Sequence, residues 1–548
     1  IRAVERSRGL GDVYKRQLLG HNTYDFAIIG SGSAGAIIAS RLTENPDITV
    51  LLIESGPMYS GFADLPDFIK GFEQRNDSSG NPAKVNSWTD IAKSGAGRMF
   101  VARATDHQQP MLVPRGTTLG GSSSVNAQIF LRGEPDDYDT WATFGNDRWS
   151  YNDCLPFFRK LETDLDFSGD FHGTTGPVRC KRDPEDEWQP NQMAFHKSCQ
   201  ALGFSPTKDH NDPDSTGVGP VPFNTIDRVR QSTWLTYLKP VMKRENLTVI
   251  PNAFVMSLNF NGTKAESVTV SNQGKTSIVE AGEIIVSGGA IGSPQLLMIS
   301  GIGDANHLKS HGIKVIQDLP GVGKNLRDHP QAQVVWKTKE NSSQDPDPYK
   351  RVQVGLRYTA SNSDLRNDMF LQPVSTANPS VYLGPEDSIN HIAITAMLYL
   401  AKGRGSITLR SADPLIQPYL DYNFLQEEED LRRLREGVEL CISVVESAEY
   451  KDIVEERVLP SDKNMSSTEK FNKWLLKNVR TTHHASGTCK MGPDSDSMAV
   501  VNQFGKVHGI ENLRVADASI MPDCVRANTN VATMMIGERI ADFICNNQ

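Results

Sequence analysis

The chain has 548 residues, more than one hydrophobic core normally supports, so two or more domains are expected. Its 38% hydrophobic and 22% charged residues describe a soluble globular protein, and its net charge of -9 excludes the basic face that nucleic-acid binding needs. No apolar run approaches the roughly 20 residues that span a bilayer, and the seven cysteines lack the C-x-x-C spacing of a zinc site, so no membrane span and no metal are expected.

Residues 1–21 begin with a basic stretch (IRAVERSRGLGDVYKRQ) that lacks the apolar core of a secretory signal, and read as a non-native or leader-like segment outside the fold. Sequons at Asn76, Asn246, Asn261, Asn341 and Asn464 matter only in a secreted protein, and leave secretion open.

From Tyr24 to Ile29 (YDFAII) the chain reads as a buried strand, and AIIASRL after Gly35 as the first turns of a helix. Between them Gly30-Ser31-Gly32-Ser33-Ala34-Gly35 has G-x-G-x-x-G spacing. In such a turn Gly30 permits the sharp reversal, Gly32 lets the backbone approach a pyrophosphate, and Gly35 lets helix and strand pack closely. The phosphates then sit at the helix N-terminus, where unpaired N–H groups and the helix dipole favour negative charge. A second strand, ITVLLI, ends in Glu54, placed to accept hydrogen bonds from an adenosine ribose. The motif specifies a dinucleotide and leaves NAD and FAD both open.

After Gly56-Pro57 about sixty residues rich in Gly, Asn, Asp and Ser read as surface loops and a lid. In the following stretch, Gly120-Gly121-Ser122-Ser123-Ser124 offers consecutive backbone N–H groups to a flat ring or an anion, with Asn126 just beyond.

Arg115-Gly116, Leu119 to Ser123 and Asn126 resemble the first signature of the glucose-methanol-choline (GMC) flavoprotein oxidoreductases. The phrase Gly133, Asp137-Tyr138-Asp139, Trp141, Gly145-Asn146 and Trp149 is similar to the animal, especially insect, branch with its FAD-linked glucose dehydrogenases. A second signature runs from Gly289 to Leu297 and on to Gly303, with a helix expected to open near Ser293-Pro294. Gly321-Val322-Gly323, Asn325-Leu326 and Asp328-His329 match the family's next loop.

The resemblance implies an α/β fold: a discontinuous Rossmann-like FAD-binding domain from residues 22–330 and 480–548, interleaved with an α+β substrate domain, 331–479, on an antiparallel sheet. Within the latter VQVGLRY, HIAITAML and GRGSITLR read as strands, and the charged stretch around Glu428 as a helix covering the sheet. By resemblance the backbone of Val255 reads adenine, and Asp517 with Ala518 holds the phosphate and ribityl region. Asn530 lies beside the flavin, where a helix starting near Val531 points its N-terminus at the ring edge that gains negative charge.

The H-x-x-G-T pattern from His484 to Thr488 places His484 at the family's catalytic histidine, and Asn528 at the second catalytic position. The implied reaction is oxidation of a CH–OH group, with His484 as base, Asn528 orienting the alcohol, and hydride passing to flavin N5. A small sugar or other alcohol is the implied substrate, and oxygen or a quinone-like compound the electron acceptor. Val125 stands where some members carry a flavin-tethering histidine, which implies non-covalent FAD. The competing readings are a nicotinamide-dependent dehydrogenase, a catalytically silent binding protein on the same fold, and a lyase or decarboxylase. The sequence leaves the oligomeric state open.

Overall fold

The computed structural model describes residues 23–59, 62–71, 75–76, 82–83, 88–342, 344–345, 347–377 and 390–548. Residues 1–21 and parts of the expected lid after Pro57 lie outside the described residues.

Among the described residues two seven-stranded sheets form the main layers. The first runs Leu247–Ile250, Val50–Ile53, Thr23–Ile29, Lys275–Val286, Lys264–Asn272, Ala253–Asn261, with Leu513–Val515 also paired to Lys275–Val286. The pairs around Thr23–Ile29 are parallel, and the hairpins from Ala253 to Val286 antiparallel. Successive residues Ala27-Ile28, Leu51-Leu52 and Ile284-Ile285 are all buried, so both faces of the parallel part are covered, as parallel sheets require. Helices Gly35–Leu42 and Gly289–Ile299 follow their strands directly, and the C-terminal helix Thr529–Cys545 packs on the first of them.

The helix expected to open near Ser293-Pro294 starts earlier, at Gly289, and Pro294 lies inside it. A proline there cannot donate to the carbonyl four residues back. That carbonyl, Ala290 O, instead accepts from Thr488 Oγ1 at 2.7 Å, which gives the threonine of the H-x-x-G-T pattern a structural job. The last helix starts at Thr529 rather than near Val531, with Asn528 as its N-cap residue.

The second sheet is antiparallel and runs Val454–Leu459, Pro330–Thr338, His391–Leu398, Met369–Val374, Val354–Tyr358, Gly217–Pro220, with Arg480–Thr481 also paired to Pro330–Thr338. The segment before residue 330 thus contributes Gly217–Pro220 to this sheet. GRGSITLR forms a strand, Ser406–Thr408, but in a separate four-stranded sheet with Tyr419–Asp421, Gly97–Arg103 and Met111–Gly116. Alternation identified the strand but not its partner, Tyr419–Asp421, whose other neighbour Gly97–Arg103 is tied to it by the Arg103–Asp421 ion pair. Helix Glu428–Val445 covers the second sheet, and its buried Arg433 pairs with Asp368 at 2.7 Å and Asp430 at 2.8 Å.

A buried ionic network ties the outer loops together. His172 lies 3.2 Å from Glu162, 3.2 Å from Asp164 and 2.9 Å from Asp209, with Arg132 and Arg182 paired to the same acids. Burial opposes a charge on His172, but hydrogen bonds to Asp164, Asp209 and Glu162 outweigh it and raise the imidazole to about 10. The protonated ring and the two guanidiniums balance the three carboxylates.

Candidate active site

A cavity of about 490 Å³ runs from the glycine turn to His484 and Asn528. Each glycine of the turn meets a different constraint. Gly30 has φ +98°, and a Cβ there would lie 2.4 Å from Ser287 O. A Cβ on Gly35 would lie 2.0 Å from Gly30 O, while one on Gly32 would meet nothing within 4 Å, so of the three only Gly32 has room for a side-chain atom. Glu54 braces the turn: Oε2 accepts from Ser31 N at 3.0 Å and Ser31 Oγ at 2.7 Å, and Oε1 from Gly56 N at 2.9 Å. Gly121 packs on Gly32, with no room for a Cβ between them, and Gly120 N donates to Ser31 O at 2.9 Å. The two glycine runs therefore form one cradle.

The cavity is also rich in donors. Asn530 Oδ1 accepts from Ser33 Oγ at 2.7 Å, while its buried Nδ2 has no partner. Asn126 Oδ1 accepts from Gln128 N at 3.0 Å and from Arg230 at 2.7 Å, leaving Nδ2 for the cavity. The N-terminus of Thr529–Cys545 adds its unpaired backbone N–H groups, since Asn528 makes no side-chain cap. A cavity lined by an open glycine and by unpaired donors fits a dinucleotide whose ring gains negative charge on reduction. FAD would be held by Gly30, Gly32, Ser33 and Ala34 at its phosphates and by Asn126 and Asn530 at its ring.

His484 Nε2 and Asn528 Nδ2 are 3.0 Å apart, and both residues line the cavity. The other ring nitrogen, Nδ1, lies 2.9 Å from Thr482 Oγ1 and 2.9 Å from His329 Nδ1. The Thr482 hydroxyl hydrogen has acceptors outside the ring in His329 O at 3.0 Å and Asp328 Oδ1 at 3.2 Å, which leaves the oxygen to accept from His484 Nδ1. With its proton on Nδ1, His484 presents Nε2 as the acceptor of Asn528 Nδ2 at the cavity wall. Asp328 Oδ1 fixes the backbone, accepting from His484 N at 3.1 Å and His329 N at 2.7 Å. Burial, with the Arg115 charge acting in the same direction, holds His484 well below the ordinary imidazole value. Burial and Arg115 likewise lower His483 to about 3.

Asp137 anchors the loop that carries Asn528. Its Oδ1 accepts from Arg526 Nε at 2.7 Å and its Oδ2 from Arg526 N at 2.8 Å. Burial pushes this carboxyl up to about 6 despite Arg526. Trp141 Nε1 reaches Asp523 O at 3.2 Å, so the same helix grips that loop twice.

Of the residues singled out from sequence, His484, Asn528, Gly30, Gly32, Ser33, Ala34, Glu54, Gly121, Asn126, Val255, Asp517, Ala518 and Asn530 all line this cavity. Gly35, Gly120 and Val531 do not. Gly35 packs against Gly30, Gly120 holds a left-handed turn at φ +84°, and Val531 is buried within its helix. Asp517 has both oxygens engaged, by Gly289 N at 2.8 Å, Ser293 Oγ at 2.6 Å and Ser519 N at 2.8 Å, and braces the second helix as Glu54 braces the first. Sequence reading assigned no role to His329, Thr482 or Arg230. The Asp328-His329 pair was visible, but its contact with His484 depends on Pro330 pairing with Thr481.

Fold and site together define a flavin-dependent oxidoreductase with a histidine–asparagine pair on the wall of its cavity. The GMC oxidoreductase family models match residues 24–331 and 401–537. An oxygen-dependent choline dehydrogenase of Staphylococcus haemolyticus is 34% identical over 95% of this chain and 93% of its own. Among solved structures, pyridoxine 4-oxidase from Mesorbium loti is similar with TM-score 0.86 and 27% identity over 96% of this chain and all of its own. An Aspergillus oryzae formate oxidase, studied for its FAD modification, is similar with TM-score 0.85 and 25% identity over 96% of this chain and 98% of its own. The chain belongs to the GMC oxidoreductase family, and its cofactor is FAD.

Proposed function

We propose that the protein oxidises the CH–OH group of a small alcohol, with His484 as base and Asn528 as the orienting donor. The 3.0 Å approach of His484 Nε2 and Asn528 Nδ2 on one cavity wall carries this reading. An alcohol carbon yields hydride readily only as its hydroxyl proton leaves, so a bare nitrogen must face that oxygen. His484 Nε2 is placed to take the proton, and Asn528 Nδ2 to donate to the same oxygen and fix the carbon's direction. The depressed basicity of His484 keeps it neutral and ready at physiological pH. FAD, when bound, accepts the two electrons of the oxidation.

Val125 offers no atom for a covalent link to the flavin, which supports non-covalent FAD. Oxygen is favoured as acceptor over a quinone-like compound, because the named relatives are an oxygen-dependent dehydrogenase and two oxidases. Neither a glucose dehydrogenase-like specificity nor secretion draws support from these relatives, so the alcohol is left as a small alcohol of unassigned class. The test is an anaerobic visible spectrum of the purified protein across an alcohol panel, followed by air. Bleaching by one alcohol with rapid recovery in air is expected. A flavin that no alcohol bleaches, the panel including choline, pyridoxine and sugars, would sink the reading.

A further inference from the structure

Arg230 is only 2% exposed, yet among the described residues it makes no contact with a carboxylate. Arg132, Arg357 and Arg433, buried to a comparable degree, pair with Glu162 at 2.6 Å, Glu134 at 2.6 Å and Asp368 at 2.7 Å. Arg230 instead directs Nη1 at the backbone oxygen of Asn126, 2.6 Å away, and at Asn126 Oδ1, 2.7 Å away. Nη2 reaches Phe68 O at 3.5 Å, and Nε has no partner. Burying a cation without countercharge is costly. Burial lowers this guanidinium to about 9, which still leaves it charged at neutral pH.

A guanidinium has donors and no acceptor, so the Asn126 amide must turn its oxygen toward Arg230. The second donor on that oxygen, Gln128 N at 3.0 Å, fixes the same orientation independently. The Asn126 NH2 group is thereby turned to the cavity that Asn126 lines. We infer that Arg230 is a positioning residue for the flavin: it locks Asn126 as a donor and sets an uncompensated positive charge behind it, so that the site favours the negatively charged state of the ring. The inference rests on FAD occupying this cavity with its ring at Asn126, and it adds a residue that itself touches neither FAD nor alcohol.

The test compares wild type, Arg230→Gln and Arg230→Lys, each purified with FAD, by flavin content and by anaerobic sulfite titration. Sulfite adds to the flavin only where the protein stabilises negative charge on the ring, so its Kd reads this effect without alcohol turnover. Arg230→Gln is expected to keep FAD and weaken sulfite binding at least tenfold, and Arg230→Lys to stay within threefold of wild type. Wild-type sulfite affinity in Arg230→Gln overturns the inference, as does an Arg230→Lys as weak as the glutamine variant. Should Arg230→Gln take up no FAD, Asn126→Asp decides, because it sets a carboxylate against Arg230 and cancels the charge. At least tenfold weaker sulfite binding is again expected there, and an unchanged Kd overturns the inference. A wild-type protein that takes up no FAD would remove the flavin reading, and this inference with it.

Discussion

Replacing Gly32 by alanine should separate cofactor binding from folding. The added Cβ meets no protein atom within 4 Å, and Gly32 does not hold a left-handed φ, so the folded apoprotein accepts it without strain. Restricting the unfolded chain then stabilises the apoprotein by about 0.4–1 kcal/mol. With FAD present the methyl stands where the diphosphate must approach the backbone. A hydrogen bond to a charged group contributes about 1.5–3 kcal/mol, so displacing one costs roughly 10- to 100-fold in affinity. The assay is FAD titration of apoprotein by flavin fluorescence, with thermal unfolding measured in parallel. The expected variant has an unchanged or higher apoprotein Tm and a weakened FAD Kd. Gly30→Ala, with φ +98° and Ser287 O at 2.4 Å, should instead lose apoprotein stability. Wild-type FAD affinity in Gly32→Ala would refute the assignment of this turn to the diphosphate.

His484→Ala should keep the flavin spectrum and lose alcohol-driven reduction by about two to four orders of magnitude in single-turnover kinetics. Protonated His484 cannot act as base, so activity falls as pH drops through its value; that value is lowered, so the acid limb of kcat/KM should lie below pH 6.5. His172 is raised from 6.5 to about 10, so its contribution to stability is complete below pH 6.5 and is lost as pH rises through about 10, read as a fall in Tm that a His172→Gln variant lacks. Glu538→Gln removes the buried carboxylate that accepts from Arg41 and pairs with Lys160, leaving Arg41 only the exposed Glu44, and should lower stability by roughly 1.5–3 kcal/mol in denaturant unfolding.

The parts of the site legible in sequence were those fixed by local geometry. Gly30, Gly32 and Gly35 were legible as a six-residue motif, although the close approach that demands Gly30 comes from the distant Ser287, and the acid after the second strand falls at Glu54 by strand length alone. His484 and Asn528 were legible through resemblance, because neither residue type in isolation marks a base. His329 and Arg230 were not legible, because their roles come from contacts 155 and 104 residues away in sequence. Pro294 shows the limit of local rules: proline's preference for a first turn was overridden by a distant threonine that satisfies the carbonyl it frees. Ser406–Thr408 shows the same for strands, whose alternation reports a buried face and not a neighbour.

The helix that ends the chain closes on the helix that begins the nucleotide fold. Arg41 donates from Nε to Glu538 at 2.9 Å and from Nη2 at 2.7 Å, across 497 residues, and Gly537 brings the two backbones close at Ala34. Biosynthesis therefore meets the site in two instalments. At about 5–20 residues per second, roughly 25–100 s separate the emergence of one partner from the ribosome and the other. Throughout that interval the nascent glycine turn lacks Asn528, Asn530 and the helix N-terminus beside them. FAD capture is thus a late event in the life of each molecule, and the waiting N-terminal half, with an apolar helix face still uncovered, is the stage at which a chaperone or a supply of free flavin would change the yield of active enzyme.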